Sequence, residues 1–149
     1  MSIVEVSGDI LADPSELLVV PVNCVGVMGA GLAKAFRLRY PDSYQQYRQL
    51  CLDGQVRPGL VPIVDTGADA PSLAAMFPTK DHWRRPSEMV WVERGLEALV
   101  AAVADRWVLS VAVPALGCGL GGLDYEPVRA RIIAALAPTC AQVRIYKPV

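Results

Sequence analysis

An apolar run, Leu17–Val22, stops abruptly at Asn23, and residues 24–31 carry three glycines before a helical pattern starts at Leu32. That order admits few arrangements. A short apolar strand that meets glycines and then a helix is the strand-to-helix junction of an α/β unit, where backbone N–H groups are unpaired and can hold an anion. Taken alone, the same residues are equally explained by glycines that only permit a tight turn. The remainder of the chain decides between the two readings.

On both sides of this junction the chain alternates between strand and helix patterns. Residues 3–6 read as a strand closed by the Gly8-Asp9 turn, and Asp13-Pro14-Ser15 is a turn leading into Leu17–Val22. The helix that starts near Gly31 must end at Tyr40 because Pro41 cannot continue it, and Asp42 is predicted to cap a second helix that Gly54 terminates. Strands are predicted at residues 60–64 and 73–77, followed by an irregular basic loop over 78–86. Residues 87–105 form the longest predicted helix, with Val90, Val92, Leu96, Leu99, Val100 and Val103 on its core side. Residues 108–113 are apolar but for Ser110, read as a strand buried on both faces, and lead into a second glycine-rich loop over 114–123. Asp124 is placed to cap the following helix, and Gln142–Tyr146 is the last strand. The pattern predicts an α/β fold of three layers, α/β/α, with a mixed, mostly parallel central sheet. In such sheets ligands bind beyond the carboxyl ends of the strands, where both glycine-rich loops emerge.

Composition narrows the function. The 149 residues are expected to form a single domain, 1–149, large enough to fold without a disulfide or metal. With 53% hydrophobic and 19% charged residues, and 14 basic against 15 acidic side chains, the chain is neither disordered nor broadly basic, so any nucleic-acid contact must be local. No apolar run reaches membrane-spanning length and no leader pattern precedes the first strand, which points to the cytoplasm and to no membrane partner. Cys24, Cys51, Cys118 and Cys140 lack metal-site or redox-pair spacing and read as structural thiols, and no metal is implied. His82, the one histidine, is distant in sequence from Cys24 and Cys118, which disfavours a Cys–His nucleophile.

Three features converge on the strand ends: Gly8-Asp9-Ile10, Asn23 with Gly29-Ala30-Gly31, and the run Gly117-Cys118-Gly119-Leu120-Gly121-Gly122. A carboxylate can accept from an exocyclic amine, clustered N–H groups suit a diphosphate, and a side-chain amide suits a ribose diol. With these residues the sequence resembles the macrodomain family, whose members bind ADP-ribose. The resemblance implies that Asp9, with Ile10, receives the adenine, that Asn23 faces the distal ribose, and that Val27, Met28, Gly29, Ala30 and Gly31 on one side and Gly117, Cys118, Gly119, Leu120 and Gly121 on the other enclose the diphosphate, with Thr79 nearby.

Longer motifs refine this. Asn23 to Gly29, Val64-Asp65-Thr66-Gly67, Phe77-Pro78-Thr79-Lys80 with His82-Trp83, and Gly119 to Tyr125 are similar to the DarG branch of the family, whose members remove ADP-ribose from DNA modified by the toxin DarT. What this implies is a glycohydrolase and antitoxin acting on thymidine-linked ADP-ribose in single-stranded DNA, with a DarT-like toxin as partner, no cofactor, and Lys80 as the catalytic residue with Asn23 orienting the ribose. A neutral lysine amine can capture the aldehyde of a ring-opened ribose as a Schiff base; from composition alone Lys80 is a solvated loop lysine. The related animal glycohydrolase has an acid directly after its Cys-Gly-Leu, where this chain has Gly121, and the nearest acid is Asp124, which also reads as a helix cap. His82, Trp83, Arg84 and Arg85 combine positive charge with an aromatic ring and are candidate nucleic-acid contacts, against the alternative that Trp83 packs inward and the arginines are a solvated face. Trp91 and Trp107 read as helix packing. A non-catalytic ADP-ribose module and a hydrolase of carboxylate-linked ADP-ribose on proteins stand as alternatives, while a dinucleotide-binding dehydrogenase lacks its glycine spacing.

Overall fold

Successive strand side chains point to opposite faces, so Leu17 and Val19 bury on one side of the sheet while Leu18, Val20 and Val22 bury on the other. A strand apolar on both faces needs helices on both. The computed structural model describes residues 2–149, and they supply those helices. The strands are β1 (Ser2–Val6), β2 (Leu17–Val22), β3 (Ile63–Asp65), β4 (Leu73–Pro78), β5 (Ser110–Val113) and β6 (Gln142–Tyr146); the helices are α1 (Gly31–Arg39), α2 (Pro41–Leu52), α3 (Met89–Asp105) and α4 (Tyr125–Leu136). The sheet order is β1-β6-β5-β2-β4-β3, parallel except for β3 against β4. Val92, Leu96, Leu99 and Val103 of α3 and Val128, Ile132 and Leu136 of α4 pack with Leu17 and Val19. Phe36 of α1 and Tyr47 of α2 pack with Leu18, Val20 and Val22. The expected three layers are therefore present, and no helix among the described residues is long and apolar enough to cross a membrane.

Element boundaries differ from the sequence reading where backbone chemistry intervenes. β3 covers Ile63–Asp65 rather than residues 60–64, because Pro62 has no N–H for the ladder and contributes only its carbonyl, to the Met76 N–H at 2.9 Å. Asp42 is not a cap: Tyr40 occupies that position, Pro41 starts the helix, and Asp42 sits in the first turn, where the helix dipole favours an acid. α3 starts at Met89 with Glu88 extended before it, Val90 is 40% exposed rather than on the core side, and β5 starts at Ser110 because Trp107 adopts φ 55° after the helix. Trp107 is 85% exposed and packs no helix, which corrects the expectation for it. A 3₁₀ turn, Ile10–Ala12, follows β1.

Gly95 lies in the middle of α3 with the Phe77 ring of β4 directly against its Cα, in the space a Cβ would occupy. At an open helix position Gly→Ala adds up to about 1 kcal/mol of stability. Here the sign reverses, because Phe77 is fully buried and cannot retreat. Gly95→Ala is expected to destabilise the fold by about 1–3 kcal/mol, read as a lower denaturant midpoint at unchanged slope; a stabilised variant would show that α3 can move off the sheet.

Candidate functional site

β2 pairs with β5 only at Leu17↔Val111 and Leu18↔Ala112, while its pairing with β4 continues through Val22↔Pro78. Pro21 has no N–H, and it falls where β5 has already left β2. The chain order reverses between these same two strands, which is where a parallel sheet opens a crevice. A cleft of about 500 Å³ lies there, lined from Gly8 and Ile10 through Asn23 and Lys80 to the Gly117–Gly121 loop and Tyr146.

The first wall is the loop after β2. Asn23 is 7% exposed and acts as its hub. Its Oδ1 accepts from the N–H groups of Val25 (3.1 Å) and Val27 (3.3 Å), and its amide nitrogen donates to the Val27 carbonyl at 2.7 Å. The buried Tyr47 hydroxyl donates between the Asn23 carbonyl (2.7 Å) and Oδ1 (3.0 Å), and Tyr44 donates to the Gly26 carbonyl at 3.0 Å. One amide N–H of Asn23 is thereby left for a ligand among the described residues. The loop delivers the chain to α1, which has no side-chain cap and whose first residues, Gly31, Leu32 and Ala33, line the cleft. Their N–H groups and the helix dipole present a partial positive charge to whatever occupies it. Gly31 has φ 56°, which a residue with a Cβ resists.

The second wall follows β5. Hydrogen bonds from Leu123 N–H to the Gly117 carbonyl (2.9 Å), Gly122 N–H to the Gly119 carbonyl (3.1 Å) and Cys118 N–H to the Ala115 carbonyl (3.1 Å) close it on itself and leave the N–H groups of Gly119, Leu120 and Gly121 without a backbone acceptor among the described residues. Two such N–H clusters across one crevice suit a diphosphate. Ser87 backs this loop: its N–H donates to the Gly121 carbonyl at 3.0 Å, and its buried hydroxyl occupies the space a Cβ at Gly121 would need. Val27 and Leu120, 40% and 80% exposed, stand on the two loops as apolar side chains without cover.

A strap over residues 79–87 joins the walls. At its start Thr79 N–H donates to the Val22 carbonyl (3.0 Å), Cys24 N–H to the Asp81 carbonyl (3.1 Å) and the Cys24 thiol to the Lys80 carbonyl (3.4 Å); at its end Ser87 is bonded to Gly121. Lys80 is half-buried in the cleft lining and its Nζ donates to the Trp83 carbonyl at 3.3 Å. Burial pushes the Cys24 thiol up to about 11, with Cys51 and Asp81 adding to it, and burial likewise raises Cys51 and Cys118. These thiols are protonated at neutral pH, consistent with a structural role.

Of the predicted site residues, Ile10, Asn23, Val27, Ala30, Gly31, Thr79, Lys80, Trp83 and Gly117 to Gly121 line the cleft. Met28 does not: it is a core side chain, 2% exposed, beneath the loop, and its carbonyl accepts from Arg37 Nε at 3.0 Å. Gly29 is also outside the lining, as are His82, Arg84 and Arg85. Asp9 is outside the lining too, and it spends one carboxylate oxygen on the Leu11 N–H at 3.0 Å, capping the 3₁₀ turn. Asp124 occupies the N-cap position of α4, exposed, without a side-chain capping bond and outside the lining. Sequence reading missed Ser87, Tyr44 and Tyr47, which support the loops from other elements. It also missed Tyr146, which the rule of ligands at strand ends would have flagged.

Tyr146 is held by the far end of the cleft's support. Its hydroxyl and Arg144 Nε (2.8 Å) both donate to Asp13 Oδ2, while the Ser15 N–H donates to Oδ1 at 2.8 Å. Burial alone would raise the Asp13 carboxyl, but the bonds from Ser15, Tyr146 and Arg144 outweigh it and leave it below its usual value. A depressed folded pKa contributes stability above the unfolded value that is lost as pH falls through the folded one. Thermal stability is therefore expected to fall below about pH 4, and Asp13→Asn to flatten that dependence; an equally steep fall in the variant would assign it elsewhere. Gly121→Ala, whose Cβ would meet both the Ser87 hydroxyl and the Gly117 carbonyl oxygen, is expected to cost about 1–3 kcal/mol of stability, measured by chemical denaturation.

Comparison with known proteins accounts for this arrangement. The Macro domain family profile matches residues 19–132. A protein of Thermus aquaticus named DNA ADP-ribosyl glycohydrolase is 46% identical over 146 residues, 97% of this chain and 41% of its own length. The solved macrodomain of Mycobacterium tuberculosis DarG superposes with a TM-score of 0.96 at 43% identity, covering 99% of this chain and 98% of that one. Thermosipho africanus DarTG, solved in complex with ADP-ribose, superposes at 0.92 with 33% identity over 99% of this chain and 42% of its own. The chain thus spans about two fifths of the length of the curated relatives it matches. Two glycine-rich loops at the β2–β5 switch point, a sheet covered on both faces and a profile match from β2 into α4 agree: the chain belongs to the macrodomain family.

Proposed function

We propose that this domain is a DNA ADP-ribosyl glycohydrolase: it binds ADP-ribose in the β2–β5 cleft and cleaves the bond joining it to a base of single-stranded DNA. The observation that carries the reading is the placement of Lys80, on a strap tied to both anion-holding loops, with its side chain in the lining of the cleft between them. The names of the relatives, and the ADP-ribose bound to Thermosipho africanus DarTG, support it. Adenine lies toward Ile10 and Tyr146, the diphosphate between the α1 N-terminus and the Gly119–Gly121 amides, and the distal ribose beside Asn23 and Lys80.

In this reading the Lys80 amine attacks the anomeric carbon of the distal ribose and gives up a proton as the new C–N bond forms. The bond to the base nitrogen breaks, its electron pair leaves with the base, and the base takes up that proton through water or a ribose hydroxyl. Water then hydrolyses the lysine adduct, returning ADP-ribose and the free amine. Asn23 is a positioning residue that sets the loop and offers one N–H to the ribose. Neither metal nor cofactor enters the scheme. A DarT-like transferase is the partner whose product the domain consumes, a reading supported by the Thermosipho africanus protein named as a fusion of DNA ADP-ribosyl transferase and DNA ADP-ribosyl glycohydrolase, and the cytoplasm is the compartment that goes with it.

Asp124 standing outside the cleft favours a second reading, a module that binds ADP-ribose without turnover. The two part on one experiment. With single-stranded DNA carrying ADP-ribose, Lys80→Ala is expected to reduce the rate of ADP-ribose release by roughly a hundredfold or more while leaving the Kd for free ADP-ribose within about threefold. Binding without release by the parent protein would support the module, and a fully active Lys80→Ala would remove the lysine from the chemistry.

A further inference from the structure

The acceptor attached to ADP-ribose must leave the cleft past Lys80, and the structure puts one particular side chain there. Trp83 lines the cleft and is 47% exposed. It is fixed relative to the reacting end, since its carbonyl receives Lys80 Nζ at 3.3 Å. The Arg84 guanidinium lies 4.7 Å from the Trp83 ring centroid and the His82 ring 5.3 Å from it, tilted by 30°. His82 Nδ1 accepts the Arg84 N–H at 3.1 Å, which sets the turn that brings the three side chains together. Arg85 is drawn off to Asp81 at 3.0 Å, so Arg84 is the cation left beside the ring.

An exposed indole costs the fold apolar burial, and a single one needs no explanation. This one is at the mouth of a ligand cleft, on the segment carrying the amine, with a guanidinium stacked on it in a chain of net charge −1. An aromatic face with an adjacent arginine holds an unpaired base and its phosphate. A glutamate side chain bearing ADP-ribose offers no flat surface to it. A base inside a duplex has both faces covered by its neighbours and cannot reach it.

Resting on the glycohydrolase reading, we propose that Trp83, with Arg84, is a base-stacking platform that selects ADP-ribose linked to an unpaired nucleobase over ADP-ribose linked to a protein carboxylate. Trp83 is then the specificity-determining residue for the acceptor. It has no part in holding the ADP-ribose itself.

The test measures binding in the Lys80→Ala background, where substrate persists. Three ligands are titrated: free ADP-ribose, a short single-stranded oligonucleotide carrying base-linked ADP-ribose, and a peptide carrying glutamate-linked ADP-ribose. Adding Trp83→Ala is expected to weaken the oligonucleotide complex by roughly five- to a hundredfold and to leave the other two within about twofold, and Trp83→Phe is expected to recover most of the loss. An equal loss on all three ligands would make Trp83 a wall of the ADP-ribose site and overturn the proposal. So would no loss on the oligonucleotide, or a loss on the peptide alone, which would make the ring a protein contact. Turnover by the parent protein is scored separately: if release fails while Trp83-dependent oligonucleotide binding persists, the glycohydrolase reading falls and the platform stands.

Discussion

The separation of β2 from β5 beyond Leu18 and Ala112 is the constraint on which the rest of the site depends. In a parallel sheet the ladder satisfies backbone groups strand by strand. Where two central strands part, the chain must leave in two directions, and the loops that carry it away keep unpaired N–H groups. Here both exits are glycine-rich, one runs into a helix without a side-chain cap, and residues of both line the same cleft. An anion bound there would complete hydrogen bonding that the fold leaves open, which is how the proposed diphosphate site rests on the sheet's own topology.

Holding such loops in place requires support from outside them. Tyr44 and Tyr47 reach up from α2, Ser87 reaches across from the segment before α3, and the Asp13–Arg144–Tyr146 cluster fixes the end of β6. The strap over residues 79–87 ties these supports together, because it is bonded to the first loop at one end and to the second at the other. Lys80 and Trp83 therefore share a frame with both glycine-rich loops. This is the rigidity that positioning a reacting carbon against an amine demands.

Much of this was legible before any coordinates. Leu17–Val22 and residues 108–113 read as buried strands because an apolar run with no polar face has no other stable place, and the glycines that follow them marked both loops. Errors arose where a local signal had a competitor. Asp42 satisfied the rule for a cap, but Pro41 is better suited to the first helical position and displaced it by two residues. Met28 sat among glycines in a ligand-binding motif, yet its side chain fills the core beneath Phe36 and Tyr47 instead. Trp107 has the composition of a packing residue and ends exposed, since the turn after α3 points it away from both layers.

The sequence by itself determined the layer architecture, the two anion-holding loops and the family, because periodicity, glycine placement and the long motifs are properties of neighbours along the chain. Only the tertiary structure decided how Asn23 is used, that Asp124 stands clear of the cleft, that Ser87 backs Gly121, and that Trp83 rather than the arginines forms the rim beside Lys80. These depend on which segments the β2–β5 opening brings together across tens of residues, and distances of about 3 Å between such segments leave no local trace in the order of amino acids.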